Sequence, residues 1–118
     1  MTLAYLATPY TRYIDGPEEA FRCACVLAAR LIRSGVNVYS PIAHTHPIAV
    51  HGGIDPLDQQ FWYEFDATIL KRCDTLIVAQ MEGWEQSTGI ALEVDEFNKQ
   101  GKPIFDLDPE TLSMVRRI

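Results

Sequence analysis

The sequence contains no run of lysine or arginine: 10 basic residues stand against 16 acidic ones, giving a formal net charge of -6. The attraction that drives binding to nucleic-acid backbones or anionic membranes is therefore missing, and the expected partner is a small molecule or another copy of the chain. Cysteine is scarce. Cys23, Cys25 and Cys73 form an odd count without zinc-type spacing and read as buried small hydrophobes. No apolar run is long enough to cross a bilayer, and the opening "MTLAYLATPY" has no positive leading region, so a soluble, cytoplasmic protein is expected. Repeats, low-complexity stretches and interdomain linkers are absent. So are GxxxxGK[ST], GxGxxG and HExxH, which leaves nothing pointing to ATP, a dinucleotide or a zincin, and no cofactor is expected.

What is present suits one domain over residues 1–118, since 47% hydrophobic and 22% charged residues over this length can bury a real core. Four short apolar runs, 3–7, 36–41, 75–80 and 103–107, alternate with helical patterns, which predicts βαβ units and a parallel α/β sheet. The first helix is announced by Asp15-Gly16-Pro17 and closed by Gly35, with Phe21, Cys25, Ala28 and Ile32 as its expected buried stripe. A second should run from about Pro56 to Cys73 with Phe61, Trp62, Phe65 and Ile69 on one face. The third begins at "STGIALEVDEF" and ends before Gly101, and Pro109 is expected to begin a short last helix.

Ligands in such sheets bind beyond the carboxyl ends of the strands. The segments expected there are "TPYTRY", "IAHTHPIAVHGG", read as a loop, and "MEGWEQS". Glu93 borders the stripe of Ile90, Val94 and Phe97, and Asp66 borders that of Trp62 and Ile69. Either carboxylate alone reads as a helix-edge group reaching water. Two of them flanking one strand can instead divide labour between nucleophile and acid.

Ser87, Thr88 and Gly89 open the third helix, where a hydroxyl cap is the plain reading and room for a phosphate or sugar the functional one. Thr8, Tyr10, Thr11 and Arg12 form the first loop, with Arg12 a candidate phosphate ligand and Tyr5 just before it in the strand. His44 and His46 would ligate zinc only if a carboxylate joined them; otherwise they cap turns or stack on a ligand, and no metal is expected. Trp62 and Trp84 are packing residues or a flat wall for a base.

The elements "YLATPY", an aspartate on the helix before "CDTLIVAQM", and "S.G..LE" followed by "GKPI" resemble the nucleoside 2-deoxyribosyltransferase superfamily, including its 2′-deoxynucleoside 5′-phosphate N-hydrolases. "SPI.H.HP" and "FW" resemble an uncharacterised bacterial and phage branch of it. The resemblance implies a flavodoxin-like (Rossmann-like) three-layer sandwich, with a four- to five-stranded parallel sheet here. It implies metal-independent cleavage or transfer of the N-glycosidic bond of a nucleoside or nucleoside 5′-monophosphate, in a homodimer or higher homo-oligomer.

By the same resemblance Glu93 is the nucleophile, Tyr5 sets its orientation, and Asp66 binds the ligand and assists the leaving base; hydrogen bonds from Tyr5 are expected to keep Glu93 ionised. Ser87 matches a position that is serine in the nucleotide hydrolases and aspartate in the transferases. Pro9 departs from the hydrolases' small hydroxyl residue, and "DPETLSMVRRI" stands where a fifth strand is usual. With a helix starting near Pro56, Asp66 would lie almost three turns along it, so the helix is expected to overshoot the sheet edge. The competing readings are a non-catalytic nucleotide-binding module and a His44/His46 metal hydrolase.

Overall fold

The computed structural model describes residues 2–11 and 13–118. Strand β1 (Ala4–Ala7) leads to helix α1 (Pro17–Arg33), then β2 (Val38–Tyr39), α2 (Pro41–Gly52) and α3 (Gln59–Arg72). These are followed by β3 (Thr75–Ala79), a 3-10 turn at Trp84–Gln86, α4 (Thr88–Lys99), β4 (Ile104–Leu107) and β5 (Met114–Arg116). The strands form one sheet in the order β2-β1-β3-β4-β5, with the first four parallel and β5 antiparallel to β4.

Alternation along the strands sends side chains to two cores. Ala4, Leu6, Ile77, Ala79 and Leu107 meet Leu27 and Leu31 of α1 on one face. Tyr5, Ala7, Leu76, Val78 and Ile104 meet Leu70 of α3 and Ile90 and Phe97 of α4 on the other. Helices on both faces of a mostly parallel sheet make a three-layer α/β fold. Among the described residues, no helix is long and apolar enough to cross a membrane.

Local signals set the helix ends. Gly16 adopts φ +91° before Pro17, Glu18 and Glu19 occupy the first turn of α1, and Arg30 and Arg33 the last. The buried stripe of α1 is Ala20, Ala24, Leu27, Ala28 and Leu31, one step round from the expected one, and Ile32 is exposed. Small alanines let the helix lie close to the sheet, which a stripe containing Phe21 would prevent.

Three further expectations are corrected. The histidine segment is a helix: the Ser40 hydroxyl accepts a hydrogen bond from the Ala43 N–H at 3.2 Å, Pro41 follows at the first helical position, and Gly53 closes α2 with φ +74°. This start cuts β2 to two residues. On α3, Asp66 and Leu70 are buried instead of the aromatic row, and Phe61 and Phe65 are each 46% exposed. Those rings pack edge to face around Trp62, at 4.9 and 6.0 Å between centroids, with His44 of α2 stacked on Phe65.

Finally, Pro109 begins a turn and not a helix. The Asp108 carboxylate accepts the N–H groups of Glu110 and Thr111, Leu112 takes φ +63°, and the chain returns as β5. Arg117 grips Asp106 of β4 with two nitrogens at 2.9–3.1 Å.

Candidate functional site

β1 runs between β2 and β3, and successive connections leave β1 toward opposite edges of the sheet. A crevice opens at the carboxyl end of such a pair. Here it is a cavity of about 90 Å³ whose floor carries Tyr5, Asp66 and Glu93. Thr8, Tyr10 and Thr11 form one side with Ile42 and Thr45 of α2; Gln59, Trp62 and Tyr63 of α3 form another; Ser87, Gly89 and Leu92 close the α4 side. Pockets that engulf whole ligands run to about 300–1,000 Å³, so an occupant of this one has its inner end enclosed and its outer end against the mouth.

The carboxylates come from two helices. Asp58 caps α3, accepting the Phe61 N–H, and Asp66 lies two turns on, roughly 10 Å from Gln59 along the axis. The turns between supply Gln59, Trp62 and Tyr63 to the pocket. Ser87 caps α4 by accepting the Ile90 N–H at 3.2 Å, and Glu93 projects inward from its second turn. Tyr5 is fully buried between Tyr39 and Phe97, with ring centroids 5.9 and 6.4 Å away.

Burial dominates the electrostatics. It lifts Asp66 to about 7, and one of its oxygens, Oδ1, is buried without a hydrogen-bond partner among the described residues. Burial also lifts Glu93 to about 8, opposed by the neighbouring Tyr5 hydroxyl and reinforced by the Asp66 charge. Desolvation outweighs the opposing effect of the Tyr5 hydroxyl, so Glu93 holds its proton more tightly than an ordinary glutamate, against the expectation of a group kept ionised by Tyr5. The Tyr5 phenol is driven far up by burial and then by Glu93 and Asp66, so it is a donor throughout the physiological range. Thr8 Oγ1 and Tyr39 Oη are likewise buried and have no partner among the described residues. Such groups are costly unless something pairs with them.

Of the sequence-derived candidates, Glu93, Asp66, Tyr5, Ser87, Gly89, Thr8, Tyr10 and Trp62 line this one cavity. Arg12 lies outside the described residues. A Cβ on Gly89 would meet only Gln59 Nε2 and Ser87 Oγ, both at 3.9 Å, so glycine is not demanded there by the protein's own packing. Trp62 donates its indole N–H to the Asp55 carbonyl at 3.0 Å, which fixes its ring at the mouth.

The histidines do not line the cavity. His44 is exposed beside Phe65, whereas His46 is buried behind Tyr10, stacked on Phe21 at 4.6 Å, with both ring nitrogens engaged. The pair does not converge on one point, and among the described residues no group of three or more His, Cys, Asp or Glu side chains is placed to hold a metal. Trp84 lies elsewhere, beneath the Arg117 guanidinium.

Sequence reasoning missed Gln59, Tyr63, Ile42 and Thr45. Gln59, Tyr63 and Asp66 recur at i, i+4 and i+7, so the row that places Asp66 also places the other two. Ile42 and Thr45 were concealed by reading α2 as a loop, although Ser40-Pro41 is a helix-start signal.

A mostly parallel sheet covered by helices on both faces, with Asp66 and Glu93 lining one crevice, defines a small three-layer α/β protein with a candidate site. The chain belongs to the family described as a domain of unknown function, DUF1937, whose profile matches residues 2–108. A search of curated proteins finds no match to it.

Proposed function

We propose that this protein cleaves or transfers the N-glycosidic bond of a nucleoside or nucleoside 5′-monophosphate, with Glu93 as nucleophile and Asp66 as proton donor. The observation that carries the reading is the convergence of Glu93, Asp66 and the Tyr5 hydroxyl on the floor of one crevice. The strand order is that of the flavodoxin-like folds, with its last strand reversed, and the crevice lies at the β1/β3 switch point where those folds bind nucleotides.

Breaking the bond between C1′ and a base nitrogen builds positive charge on the sugar, and the electron pair leaves with the base. Asp66, held near pKa 7 by burial, gives the base its proton. Ionised Glu93 stabilises the sugar cation and closes on C1′ through one carboxylate oxygen. Water, or the nitrogen of a second base, then attacks C1′, returns its proton to Asp66 and frees Glu93. Tyr5 donates to Glu93 in its charged form and keeps it turned into the pocket.

The sugar occupies the enclosed part and the base leaves toward Trp62 and Tyr63, whose rings offer stacking surface. The start of α4, at Ser87 and Gly89, is the place for the 5′ end of the sugar, where free N–H groups favour a hydroxyl or phosphate oxygen.

The test is free-base release from ribo- and deoxyribonucleosides and their 5′-monophosphates, with and without an acceptor base, for wild type beside Glu93→Gln. Release by wild type that is lost in the variant supports the assignment. Binding without release would make the protein a nucleotide-binding module, and absence of both would refute the substrate class.

A further inference from the structure

One buried cluster has no part in that chemistry. His46, on α2, is only 5% exposed, and its ring is clamped between Phe21 of α1 and the edge of Tyr10. Its Nε2 lies 2.7 Å from a carboxylate oxygen of Glu18, and its Nδ1 lies 2.5 Å from the Tyr10 hydroxyl. Glu18 is open to solvent, whereas Tyr10 lines the cavity. A chain of hydrogen bonds thus runs from the surface, through a buried imidazole, to the hydroxyl of a residue that lines the cavity.

The order of donors follows from the groups themselves. A carboxylate only accepts, so the Glu18 contact requires the proton on Nε2. In the neutral ring Nδ1 is then bare and accepts the Tyr10 O–H. With its proton committed to His46, the Tyr10 oxygen has only lone pairs left for the cavity.

We infer that Glu18 and His46 are positioning residues that hold Tyr10 as a hydrogen-bond acceptor in the pocket, so that Tyr10 selects a ligand bearing a donor at that point, a hydroxyl or an amino N–H. A ligand presenting a carbonyl or ether oxygen there meets lone pairs and leaves both unpaired. Loss of one such buried hydrogen bond shifts affinity by roughly tenfold. The ligand class rests on the proposed nucleoside chemistry, whereas the direction of the relay does not.

Two measurements test the inference separately. Long-range ¹⁵N–¹H spectra of the ligand-free protein at neutral pH report the form of His46. A neutral ring protonated on Nε2, which loses that single form in Glu18→Gln, is the expected result; a ring protonated on Nδ1, or on both nitrogens, would overturn the relay. Glu18 is exposed, so this variant leaves the core intact.

Calorimetry with adenosine against purine riboside, 2′-deoxyadenosine and 5′-deoxyadenosine then reads selection. For one pair, wild type is expected to favour the donor-bearing member by roughly tenfold, and Tyr10→Phe to bring the ratio near one. Ratios unchanged in Tyr10→Phe would overturn selection by Tyr10 while leaving the proposed function standing. If no nucleoside bound, the proposed function and the ligand class would fail together, and the His46 spectrum would still decide the relay.

Discussion

Asp66 and Glu93 face one cavity from two different helices, and the Asp66 charge helps to raise the proton affinity of Glu93. With values of about 7 and about 8, the pair holds two protons in acid, one near neutrality and none in alkali. The productive form for glycosidic cleavage has Glu93 ionised and Asp66 protonated. It is the minor singly protonated form, because the nucleophile holds its proton more tightly than the acid does.

A bell-shaped dependence of kcat/KM on pH follows, with its maximum between about 7 and 8. Its two limbs belong to the pair and not to single residues. Asp66→Asn should abolish the falling limb and lower the rate by roughly 10²–10⁴ for a base that needs protonation. Steady-state base release across pH 5–10 checks this; a flat profile in wild type would count against carboxyl chemistry at the site.

Tyr5→Phe probes the opposing hydrogen bond. The hydroxyl favours charged Glu93, so its removal raises the Glu93 value beyond about 8 and moves the rising limb to higher pH. The expected signature is a larger loss of rate at pH 6 than at pH 9. The ring is retained against Tyr39 and Phe97, so the melting temperature should change little.

The same burial makes stability depend on pH with a definite sign. Glu93 and Asp66 have folded values above their ordinary ones, so the folded state binds these protons more tightly and their contribution is fully present below about pH 4. It is lost as pH rises through about 7 and 8. Thermal unfolding should show a fall across that window, and Glu93→Gln should match wild type near pH 4 but be clearly more stable than it at pH 9. A variant no more stable than wild type at pH 9 would mean that Glu93 is charged without penalty in the empty pocket.

How much of this was legible in the sequence depends on which signal each element used. Caps carried reliable information: Gly16-Pro17, Ser87 and Gly101 mark ends where the structure has them. Glu93 and Asp66 were legible because each interrupts an apolar row at helical spacing, and both line the pocket. Faces were less legible where two rows compete. On α3 the aromatics Phe61 and Phe65 outweigh the row through Asp66 on hydrophobicity, yet they settle on the rim among themselves while the smaller, carboxylate-bearing row goes in. Histidine type misled for α2, because imidazoles suggest loops and ligands although Ser40, Pro41 and Gly53 already delimit a helix. Strand β5 was invisible because its three residues alternate nothing and are held by the Asp108 turn and the Arg117–Asp106 pair.

Phe97 joins the fold to the site. Its ring is wholly buried against Tyr5 on one side and lies under the Lys102 ammonium on another. Phe97→Ala should cost about 3–5 kcal/mol by lost transfer energy and an unfilled cavity, read by urea unfolding. Phe97→Leu should recover much of that. A loss below about 1 kcal/mol for the alanine variant would show that the cluster collapses around the gap.

Ser87 separates capping from recognition. Its hydroxyl accepts the Ile90 N–H, a role aspartate fills as well, so Ser87→Asp should leave the melting temperature unchanged while Ser87→Ala costs about 1 kcal/mol. In the pocket the two residues differ, because aspartate adds a third carboxylate at the start of α4, beside Glu93 and Asp66. A 5′-phosphate placed there meets like charge, whereas a neutral 5′-hydroxyl gains an acceptor. Ser87→Asp should therefore lower kcat/KM for a 5′-monophosphate relative to its nucleoside by roughly tenfold or more. Monophosphate and nucleoside rates that keep their wild-type ratio would place the 5′ end of the substrate away from α4.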